Sequence, residues 1–542
     1  METLSSTKTQ SWLFWFLRGA LILGFLILVG RLLELTIIKG AYFRSLSEEN
    51  RIRRIPISAP RGRILARAGE ELVGNKEVKK RIIFNPESGY EKVDFKVGDP
   101  QDETITEWVR DYKLAESFAH VSGYLGQTSQ EEVGTVDPLC PEKGPRKSGG
   151  WVGRTGLEAY YECRLSGVDG EELVEVDTTG KRVRTLGKKD PTSGQDITTS
   201  IDFSLQREAA NALGNKKGAV VALSGTGEVL ALHSYPSFDP NLFVTKGKEQ
   251  EISALLKNPD EPFFDRAIGG LYHPGSVFKP FVAIAAVEEG RVDENFYYED
   301  PGVITIGRFS YSNWYFNQYG GKEGKIGLVR AIARSTDTFF YKVGEMLGVD
   351  EIVKWAHRFG LDEATGLDLP GEVSGLVPSP EWKLRVKGER WFLGNTYHMA
   401  IGQGDIALTP IEVGRATLGV ATGELCEPKI VGDTNCREIE LGDKSVEMVK
   451  EGMQDACLSG GTGFTFFDFE PSVACKTGTA ETSLEGQSHA WFSVFAPVDF
   501  PQISLTVLVE KGGEGSKVAG PIARRIFDFW FHGKIPQNDR EK

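Results

Sequence analysis

The sequence lacks the excess of positive charge that marks nucleic-acid binding and the cysteine spacing that marks a zinc site. Its 63 lysine and arginine residues are outnumbered by 76 aspartate and glutamate residues, and the formal net charge is -13. A surface that binds nucleic acid needs concentrated positive charge, so this balance argues against nucleic acid as the main partner. The six cysteines include no C-x-x-C pair, which removes the usual spacing of a structural zinc site. No internal repeat or low-complexity tract is apparent.

The length of the chain requires more than one domain. At about 150 residues per domain, 542 residues correspond to three or four units, or fewer if one of them is large. The hydrophobic content of 40% is that of a globular protein with substantial cores.

The N-terminal segment is strongly apolar from Trp12 to Leu35. A membrane helix fits it best, because Arg18 can extend its charged end toward a headgroup while its stem stays in the apolar layer. A cleavable signal peptide is the alternative, but such a peptide is usually followed by an A-x-A pattern, and none follows here. We therefore predict a tail over residues 1–11 and a transmembrane helix over residues 12–38.

Charge and cysteine content alone do not assign the remaining chain to a cellular compartment. Lys8 precedes the apolar segment and Arg18 lies near its start, whereas five basic residues follow it closely: Lys39, Arg44, Arg51, Arg53 and Arg54. The positive-inside rule would then place the long C-terminal part in the cytoplasm, but that rule is weak for long translocated domains. Cys426 and Cys436 flank a short loop and could form a disulfide in an oxidising space. Free buried thiols explain them equally well.

The pattern of apolar residues predicts an α+β chain. A hairpin is expected in GEELVEVDTTGKRVRTLG, and a second, buried hairpin in GAVVALSGTGEVLALHSYP. A Thr-capped helix is expected to start at Leu157, and Asp202 is expected to cap another helix after a strand that ends at Ile201. Helices should dominate from Pro274 to about Gly423. Three β-rich runs and a final helix over 521–531 follow, so one sheet must be assembled from distant segments.

Ser276 and Lys279 form the first candidate catalytic pair, within YHPGSVFKPFVAIAAVEEG. Their i, i+3 spacing places them on one face of a helix. The Pro-Gly turn before them would put Ser276 at the helix N-terminus, where backbone N–H groups favour a developing oxyanion. Lysine serves as a base only if burial or another cation lowers its pKa, and Phe278 with the apolar run beyond could supply that burial. The spacing alone is weak, since Ser5 and Lys8 repeat it.

Two further segments strengthen the interpretation of this pair. CKTGTAE places Lys476 on a strand beside Thr477 and Thr479, and Gly478 would let a substrate backbone approach closely. A solvated strand position is the alternative for Lys476. ARSTDTFFYKVG places Ser335 and Asp337 at the start of an amphipathic helix, where either could simply be its N-cap.

These three segments, in this order, resemble the active site of the penicillin-recognising serine transferases, with its motifs S-x-x-K, S-x-N or S-x-D, and K-T-G. The resemblance extends to APRGRILARAGEEL, GRTGLEAYYE, GQDITTSIDFSLQ, GEVLALHSYPSFDPN, ATGLDLPGEVSGLVPSPEWK, AIGQGDIALTP and HAWFSVFAP. These stretches are similar to landmarks of the class B penicillin-binding proteins, the peptidoglycan transpeptidases. Ser-x-Asp at Ser335 and the HAWFSVFAP strand resemble the elongation type more than the division type.

The resemblance implies an α+β fold with three parts. These are an N-terminal transmembrane helix, a β-rich non-catalytic pedestal over residues 39–195, and a transpeptidase domain over residues 196–535 with an antiparallel sheet and a helical lobe. The catalytic part would face the periplasm or exterior, with a short cytoplasmic tail.

The resemblance also implies a mechanism. Ser276 attacks the penultimate D-Ala carbonyl of a stem peptide, and Lys279 takes its proton. Ser335 relays a proton to the leaving amine, and Lys476, with Asp337 nearby, holds the charge of the network. Thr477, Gly478 and Thr479 would bind substrate, and the backbone N–H groups of Ser276 and Thr479 would form the oxyanion hole. An amine of a neighbouring stem resolves the acyl-enzyme, and β-lactams acylate the same serine.

The implied partners are peptidoglycan stem peptides, β-lactams, the membrane, and a SEDS-family glycosyltransferase with other membrane proteins of the elongation complex. No cofactor is implied. Some elongation-type relatives carry a zinc site built from Asp, His and Cys, but the stretch from Phe281 to Ser335 has no His or Cys, so we predict no metal. The interval from Asn75 to His120 is also shorter than the head of typical relatives, which affects how the pedestal meets its partners.

Several other functions are compatible with parts of this pattern. A D,D-carboxypeptidase or serine β-lactamase would need a dedicated water-activating base, which we do not locate, and a lactam-sensing receptor would need a cytoplasmic signalling part. A non-catalytic scaffold for a lipid-linked glycosyltransferase would have no reason to keep Ser276, Lys279 and Lys476.

Overall fold

The structure is a computed structural model that describes residues 7–42, 51–85, 89–96, 104–177, 182–482 and 486–533. Its strands are β1 Ile52–Ile57, β2 Ile64–Leu65, β3 Glu71–Asn85, β4 Gly89–Asp94, β5 Thr104–Tyr112, β6 Leu125–Gln127, β7 Trp151–Gly153, β8 Gly170–Val176, β9 Arg182–Lys189, β10 Ile197–Thr198, β11 Gly218–Ser224, β12 Val229–Tyr235, β13 Tyr298–Asp300, β14 Val303–Ile306, β15 Phe309–Ser312, β16 Gly324–Ile326, β17 Glu424–Cys426, β18 Cys436–Glu438, β19 Ala474–Glu481, β20 Ser488–Ala496 and β21 Ile503–Val509.

The α-helices are α1 Thr7–Leu33, α2 Ala119–Ser122, α3 Gly156–Tyr160, α4 Glu162–Leu165, α5 Phe203–Leu213, α6 Asn241–Val244, α7 Glu249–Leu256, α8 Lys279–Glu288, α9 Trp314–Tyr319, α10 Leu328–Arg334, α11 Asp337–Leu347, α12 Val349–Arg358, α13 Pro380–Lys387, α14 Leu393–Ala400, α15 Pro410–Thr422, α16 Asp443–Cys457 and α17 Ala519–His532. A π-helical turn, Glu34–Ile38, extends α1.

The apolar N-terminus forms one long helix, as predicted. Residues Trp12–Ile38 have a mean hydropathy of 2.3, and they are long and apolar enough to cross a membrane. Within the described ranges no other helix meets that test. A signal sequence passes the same test, so that alternative remains. Residues 43–50 lie outside the described part of the chain, and β1 begins at Ile52.

The described chain divides into two units, which are considered separately. The smaller unit lies within residues 1–60, 77–108 and 167–193, and the larger within residues 61–76, 109–166 and 194–542. In the smaller unit β1, β8 and β9 form an antiparallel sheet. The pairing of β8 with β9 confirms the first predicted hairpin, although its Thr-Gly turn at residues 178–181 lies outside the described residues. Ile55, Val174 and Val176 form the core of this sheet.

The larger unit is built on a five-stranded antiparallel sheet with the order β12-β11-β21-β20-β19. Both faces are buried, which explains why these strands read as continuous apolar runs. Along β20, Phe492 and Val494 point into a core shared with α5 and α17, whereas Trp491 and Phe495 point into a second core that contains α8 and α11. The second predicted hairpin, the three β-rich runs and the final helix are confirmed.

A third core joins the segment after β1 to the same sheet. Ile64 and Val73 pack in one cluster with Leu157, Ile197 and Val221. Part of the range predicted as pedestal therefore shares its hydrophobic core with β11 inside the larger unit. The domain bounds 39–195 and 196–535 stay a prediction.

Two predicted helix starts differ in detail. Asp202 caps α5 as expected, because its side chain accepts hydrogen bonds from the backbone N–H groups of Ser204 and Leu205. The strand before it ends at Thr198 rather than Ile201. The helix expected at Leu157 starts at Gly156, and Thr155 is its N-cap residue without a side-chain cap bond.

All six cysteines lie in disulfides of the structure: Cys140–Cys163, Cys426–Cys436 and Cys457–Cys475. Of the two explanations left open for Cys426 and Cys436, the structure has the disulfide. The other two pairs had no sequence prediction, because spacing along the chain does not reveal which cysteines meet in space.

A buried histidine in the larger unit should make the protein sensitive to acid. His233 is buried on β12, and burial, with the nearby His120, lowers the pKa of His233 to about 3. Because this is below the ordinary value of about 6.5, the stabilising contribution is present above pH 6.5 and is lost as the pH falls from 6.5 toward 3. The loss between pH 7 and pH 5 should be roughly 2 kcal/mol.

We expect His233→Gln to show a smaller fall in melting temperature between pH 7 and pH 5 than the wild type, as measured by thermal unfolding at both pH values. His357→Gln is the control, at a half-exposed histidine whose Nδ1 pairs with Asp362, and this variant should keep the fall that His233 causes. An identical fall in all three proteins contradicts the assignment.

Candidate active site

Ser276 lies in a short 3-10 turn, Gly275–Phe278, directly before α8. The prediction that Ser276 starts the α-helix itself is therefore wrong by one turn, since α8 begins at Lys279 with Pro280 in its first turn. The i, i+3 relation is kept, because side chains three apart also eclipse each other in a 3-10 turn. Ser276 is half-buried, whereas Lys279 is fully buried, as the apolar run had predicted.

Glycines bring the Ser276 turn against β19. Gly275 has a φ of 57°, and a Cβ on it would lie 3.1 Å from the carbonyl oxygen of Thr479. A Cβ on Gly478 would lie 3.0 Å from the carbonyl oxygen of Pro274 and 2.9 Å from Cβ of Trp491. The space beside Gly478 is thus filled by the turn that holds Ser276, and this contact already requires a glycine here. The role of Gly478 in substrate binding stays a prediction.

Ser335 lies between two helices. It follows α10 and has a φ of 54°, in the left-handed region that side chains other than glycine rarely adopt. Thr336 is the N-cap residue of α11, and Asp337 is the first helical residue. The alternative that Ser335 or Asp337 is the N-cap is therefore wrong. Both side chains instead take part in a buried polar cluster.

Lys476 lies on β19 and is fully buried. The alternative of a solvated strand position is therefore wrong. Its amine donates to Oγ of Ser335 at 2.8 Å and to the carbonyl of Thr477 at 3.1 Å. The edge strand β19 thus carries its lysine into the interior, against the turn that holds Ser335.

Lys279 reaches the same serine from α8. Its amine lies 2.8 Å from the carbonyl oxygen of Ser335, 3.2 Å from Oγ of Ser335 and 2.7 Å from Oδ1 of Asp337. These three contacts use all three hydrogens of an ammonium group. One hydroxyl, that of Ser335, therefore lies between two buried amines, and one carboxylate is paired with the first of them.

Burial lowers the pKa of both lysines. At Lys279 the carboxylate of Asp337 opposes this effect and limits it. At Lys476 the positive charge of Lys279 adds to the effect of burial, and the pKa falls well below its ordinary value. Two amines sharing one carboxylate cannot both carry a proton without an unpaired buried charge. The arrangement favours a charged Lys279 beside Asp337 and a neutral Lys476.

The three residues after Lys476 line the outer part of this cluster. Thr477 is buried, whereas Thr479 is exposed at the edge of the sheet. The carbonyl of Thr479 accepts a hydrogen bond from Gln403, and its hydroxyl accepts one from the backbone N–H of Gly515, at 3.4 Å each. The sequence interpretation did not include Gln403 or Gly515, although AIGQGDIALTP was among the stretches of the resemblance.

Asn313 and Trp314 were also missed. Oδ1 of Asn313 accepts from the backbone N–H of Asp337 at 3.2 Å, and the backbone N–H of Trp314 donates to Oδ2 of Asp337 at 3.0 Å. Because Asn313 directly precedes the short helix α9, the sequence suggests only that it caps this helix. Nothing in the sequence indicates its contact with Asp337. It arises from a segment more than twenty residues away in the chain.

In the described part of the chain, two groups of side chains bring a carboxylate close to two cysteine sulfur atoms, as a metal site would require. They are Asp137 with Cys140 and Cys163, and Glu424 with Cys426 and Cys436. The cysteines of each group are joined in a disulfide, so their sulfur atoms are not thiolate ligands. Neither group contacts the lysine cluster. The absence of a metal from the active site stays a prediction.

Comparison with known proteins places this cluster in a family. Residues 218–528 match the model of the penicillin binding protein transpeptidase domain, and residues 100–199 match that of the penicillin-binding protein dimerisation domain. The chain is 35% identical to the peptidoglycan D,D-transpeptidase MrdA of Acinetobacter baumannii over 78% of this chain and 66% of that protein. It is 30% identical to MrdA of Escherichia coli over 95% of this chain and 94% of that protein.

A solved structure gives the same result for the fold. The penicillin-binding protein PBP2 of Helicobacter pylori, in its complex with MreC, superposes with a TM-score of 0.76 at 26% identity, covering 88% of this chain and 98% of that one. The α+β transpeptidase fold with a dimerisation pedestal is thereby confirmed. So is the resemblance on which the peptidoglycan transpeptidase function was based. The chain belongs to the class B penicillin-binding proteins, and among them to the PBP2-type peptidoglycan D,D-transpeptidases.

Proposed function

We propose that this chain cross-links peptidoglycan through an acyl-enzyme on Ser276. Oγ of Ser276 forms a bond to the penultimate D-Ala carbonyl carbon of a stem peptide, and the bond from that carbon to the terminal D-Ala nitrogen breaks. An amine of a second stem then forms the new amide and releases Ser276. The observation that carries the proposal is the convergence of two buried lysine amines on the hydroxyl of Ser335, beside the Ser276 turn.

The proposed proton transfers use the same three side chains, Lys279, Ser335 and Lys476. Lys279 can accept the Ser276 proton only when its amine is neutral, and in the resting arrangement Asp337 favours the charged form. The Ser335 hydroxyl contacts both amines, so a proton can pass from Lys279 through Ser335 to Lys476. Lys279 is then free to act as general base for Ser276. The negative charge of the oxyanion offsets the second ammonium group that results. Lys476 then gives its proton through Ser335 to the leaving D-Ala nitrogen, so that Lys279 is again charged and Lys476 neutral.

Substrate binding is assigned to the K-T-G strand. Thr477, Gly478 and Thr479 would bind the substrate carboxylate and backbone, and the N–H groups of Ser276 and Thr479 would hold the oxyanion. The close approach of Gly275 to the Thr479 carbonyl supports this pairing, since it brings the two segments together.

The test is covalent labelling of the full-length chain in detergent with a fluorescent penicillin, followed by intact mass and peptide mapping. We expect one adduct, on Ser276, that is lost slowly. Rapid loss would favour a β-lactamase or carboxypeptidase, which deacylates with water. No adduct on a folded protein would favour a scaffold that positions a glycosyltransferase.

We also propose that the apolar helix anchors the chain in the inner membrane with the larger unit outside the cytoplasm. Three disulfides support this location, because such bonds persist in oxidising compartments. The partners would be a SEDS-family glycosyltransferase and other membrane proteins of the elongation complex. The MreC complex of the Helicobacter pylori protein supports partners of this kind. Protease added to intact spheroplasts should digest the larger unit, and protection from it would refute this orientation.

A further inference from the structure

A buried carboxylate organises the segment between β13 and β16. Asp300 is 1% exposed. Its Oδ1 accepts from the backbone N–H of Gly302 at 2.8 Å and from the Thr338 hydroxyl at 2.6 Å. Its Oδ2 accepts from Nδ2 of Asn313 at 3.2 Å and from the backbone N–H of Glu323 at 2.9 Å. One side chain thus ties together the beginning, middle and end of this segment.

The charge of Asp300 is stabilised by these donors alone. No lysine, arginine or histidine in the described part of the chain forms an ion pair with it. The hydrogen bonds outweigh burial and lower the pKa of Asp300, so it is ionised. A buried charge is costly unless its hydrogen bonds are complete, and so this carboxylate holds its four donors in fixed places.

Asn313 connects this centre to Asp337. It is fully buried, and its amide donates to Asp300 through Nδ2 and accepts from the Asp337 N–H through Oδ1. The next residue, Trp314, donates its own N–H to Oδ2 of Asp337. Both contacts that orient Asp337 from this side therefore come from a segment fixed by Asp300. The other oxygen of Asp337 receives the amine of Lys279.

We propose that Asp300 is a positioning residue for acylation. Acting through Asn313 and Trp314, it sets the orientation of the Asp337 carboxylate and thereby the place of the Lys279 amine beside Ser335. This inference rests on the proposed function, because it assigns a role in the acylation of Ser276. A general base displaced by about 1 Å loses roughly 100-fold in rate.

The test is a double-mutant cycle on the pair formed by Asp300 and Asn313. In Asp300→Asn an NH2 group replaces the oxygen that accepts from Nδ2 of Asn313, so two donors face each other. In Asn313→Asp two carboxylates face each other. The double variant Asp300→Asn/Asn313→Asp restores one donor–acceptor pair and the net charge. We expect each single variant to lower the acylation rate constant about 10- to 100-fold with the non-covalent penicillin affinity unchanged, and the double variant to recover part of that loss.

Asp368 supplies the matched control. It is equally buried, and it accepts from the N–H groups of Ile430 and Val431 and from the Tyr161 hydroxyl. Asp368→Asn should lower the melting temperature but leave the acylation rate constant of the folded protein unchanged. If either Asp300 or Asn313 variant does not fold, Thr338→Val removes a single bond to Asp300 and should slow acylation about 3- to 10-fold.

The outcomes separate the two proposals. Labelling of the wild type elsewhere than Ser276 overturns the proposed function. Normal labelling of the wild type, with Asp300→Asn or Thr338→Val acylated as fast as Asp368→Asn, overturns only the role of Asp300. Additive losses in the cycle, without recovery, overturn the connection through Asn313.

Discussion

Replacing Ser276 by alanine should abolish covalent labelling by penicillin while the protein stays folded. Oγ of Ser276 is the only protein atom proposed to bond to the carbonyl carbon. Because Ser276 is half-buried, the loss of its hydroxyl should disturb little packing. Fluorescence of the labelled band and intact mass measure the result, and the melting temperature shows that the variant is folded.

Ser5 provides the control for this prediction, since it stands in the other S-x-x-K spacing of the chain. Ser5→Ala should be labelled as fast as the wild type. Labelling of the Ser276→Ala protein at the normal rate would show that the nucleophile lies elsewhere, whatever the family.

Replacing Lys279 by alanine should slow acylation by about 10²- to 10⁴-fold without abolishing it. General-base assistance is typically worth that much, and the remaining contacts still place the ligand against Ser276. The loss of the amine also leaves the Asp337 carboxylate without its cation. Stopped-flow or gel-based acylation kinetics over a range of penicillin concentrations would separate the rate constant from the affinity.

Lys450 is the matched control for Lys279. Burial lowers the pKa of its amine too, but this amine donates to the carbonyl of Ala421 instead of to the cluster. Lys450→Ala should therefore acylate normally. An unchanged rate in Lys279→Ala would exclude this lysine as the base and leave the neutral Lys476, acting through Ser335, as the candidate.

Local patterns in the sequence predicted much of the fold of the larger unit. The run GAVVALSGTGEVLALHSYP became β11 and β12 because its apolar residues fill both faces of a buried sheet. Asp202 capped α5 because capping depends on neighbouring backbone N–H groups only. The predicted start of a helix was one residue off at Gly156, where the N-cap residue Thr155 makes no side-chain cap bond.

The candidate site was predicted by motif and resemblance rather than by geometry. Spacing placed Lys279 three residues after Ser276, but it could not show that Lys279 points at Ser335 and Asp337. It also missed Asp300, Asn313 and Trp314, which follow no recognisable spacing. These contacts join segments far apart in the chain, and no periodic pattern encodes them.

The sequence by itself determined the apolar N-terminal helix, the α+β order of elements, the three motif segments and the family. Each of these depends on composition, periodicity or residue identity, which are local. The tertiary structure decided that Lys476 is buried, that one serine hydroxyl joins two amines, and that Asp337 is oriented by a distant segment. Burial and charge pairing depend on which surfaces meet after folding, so only the folded chain fixes them.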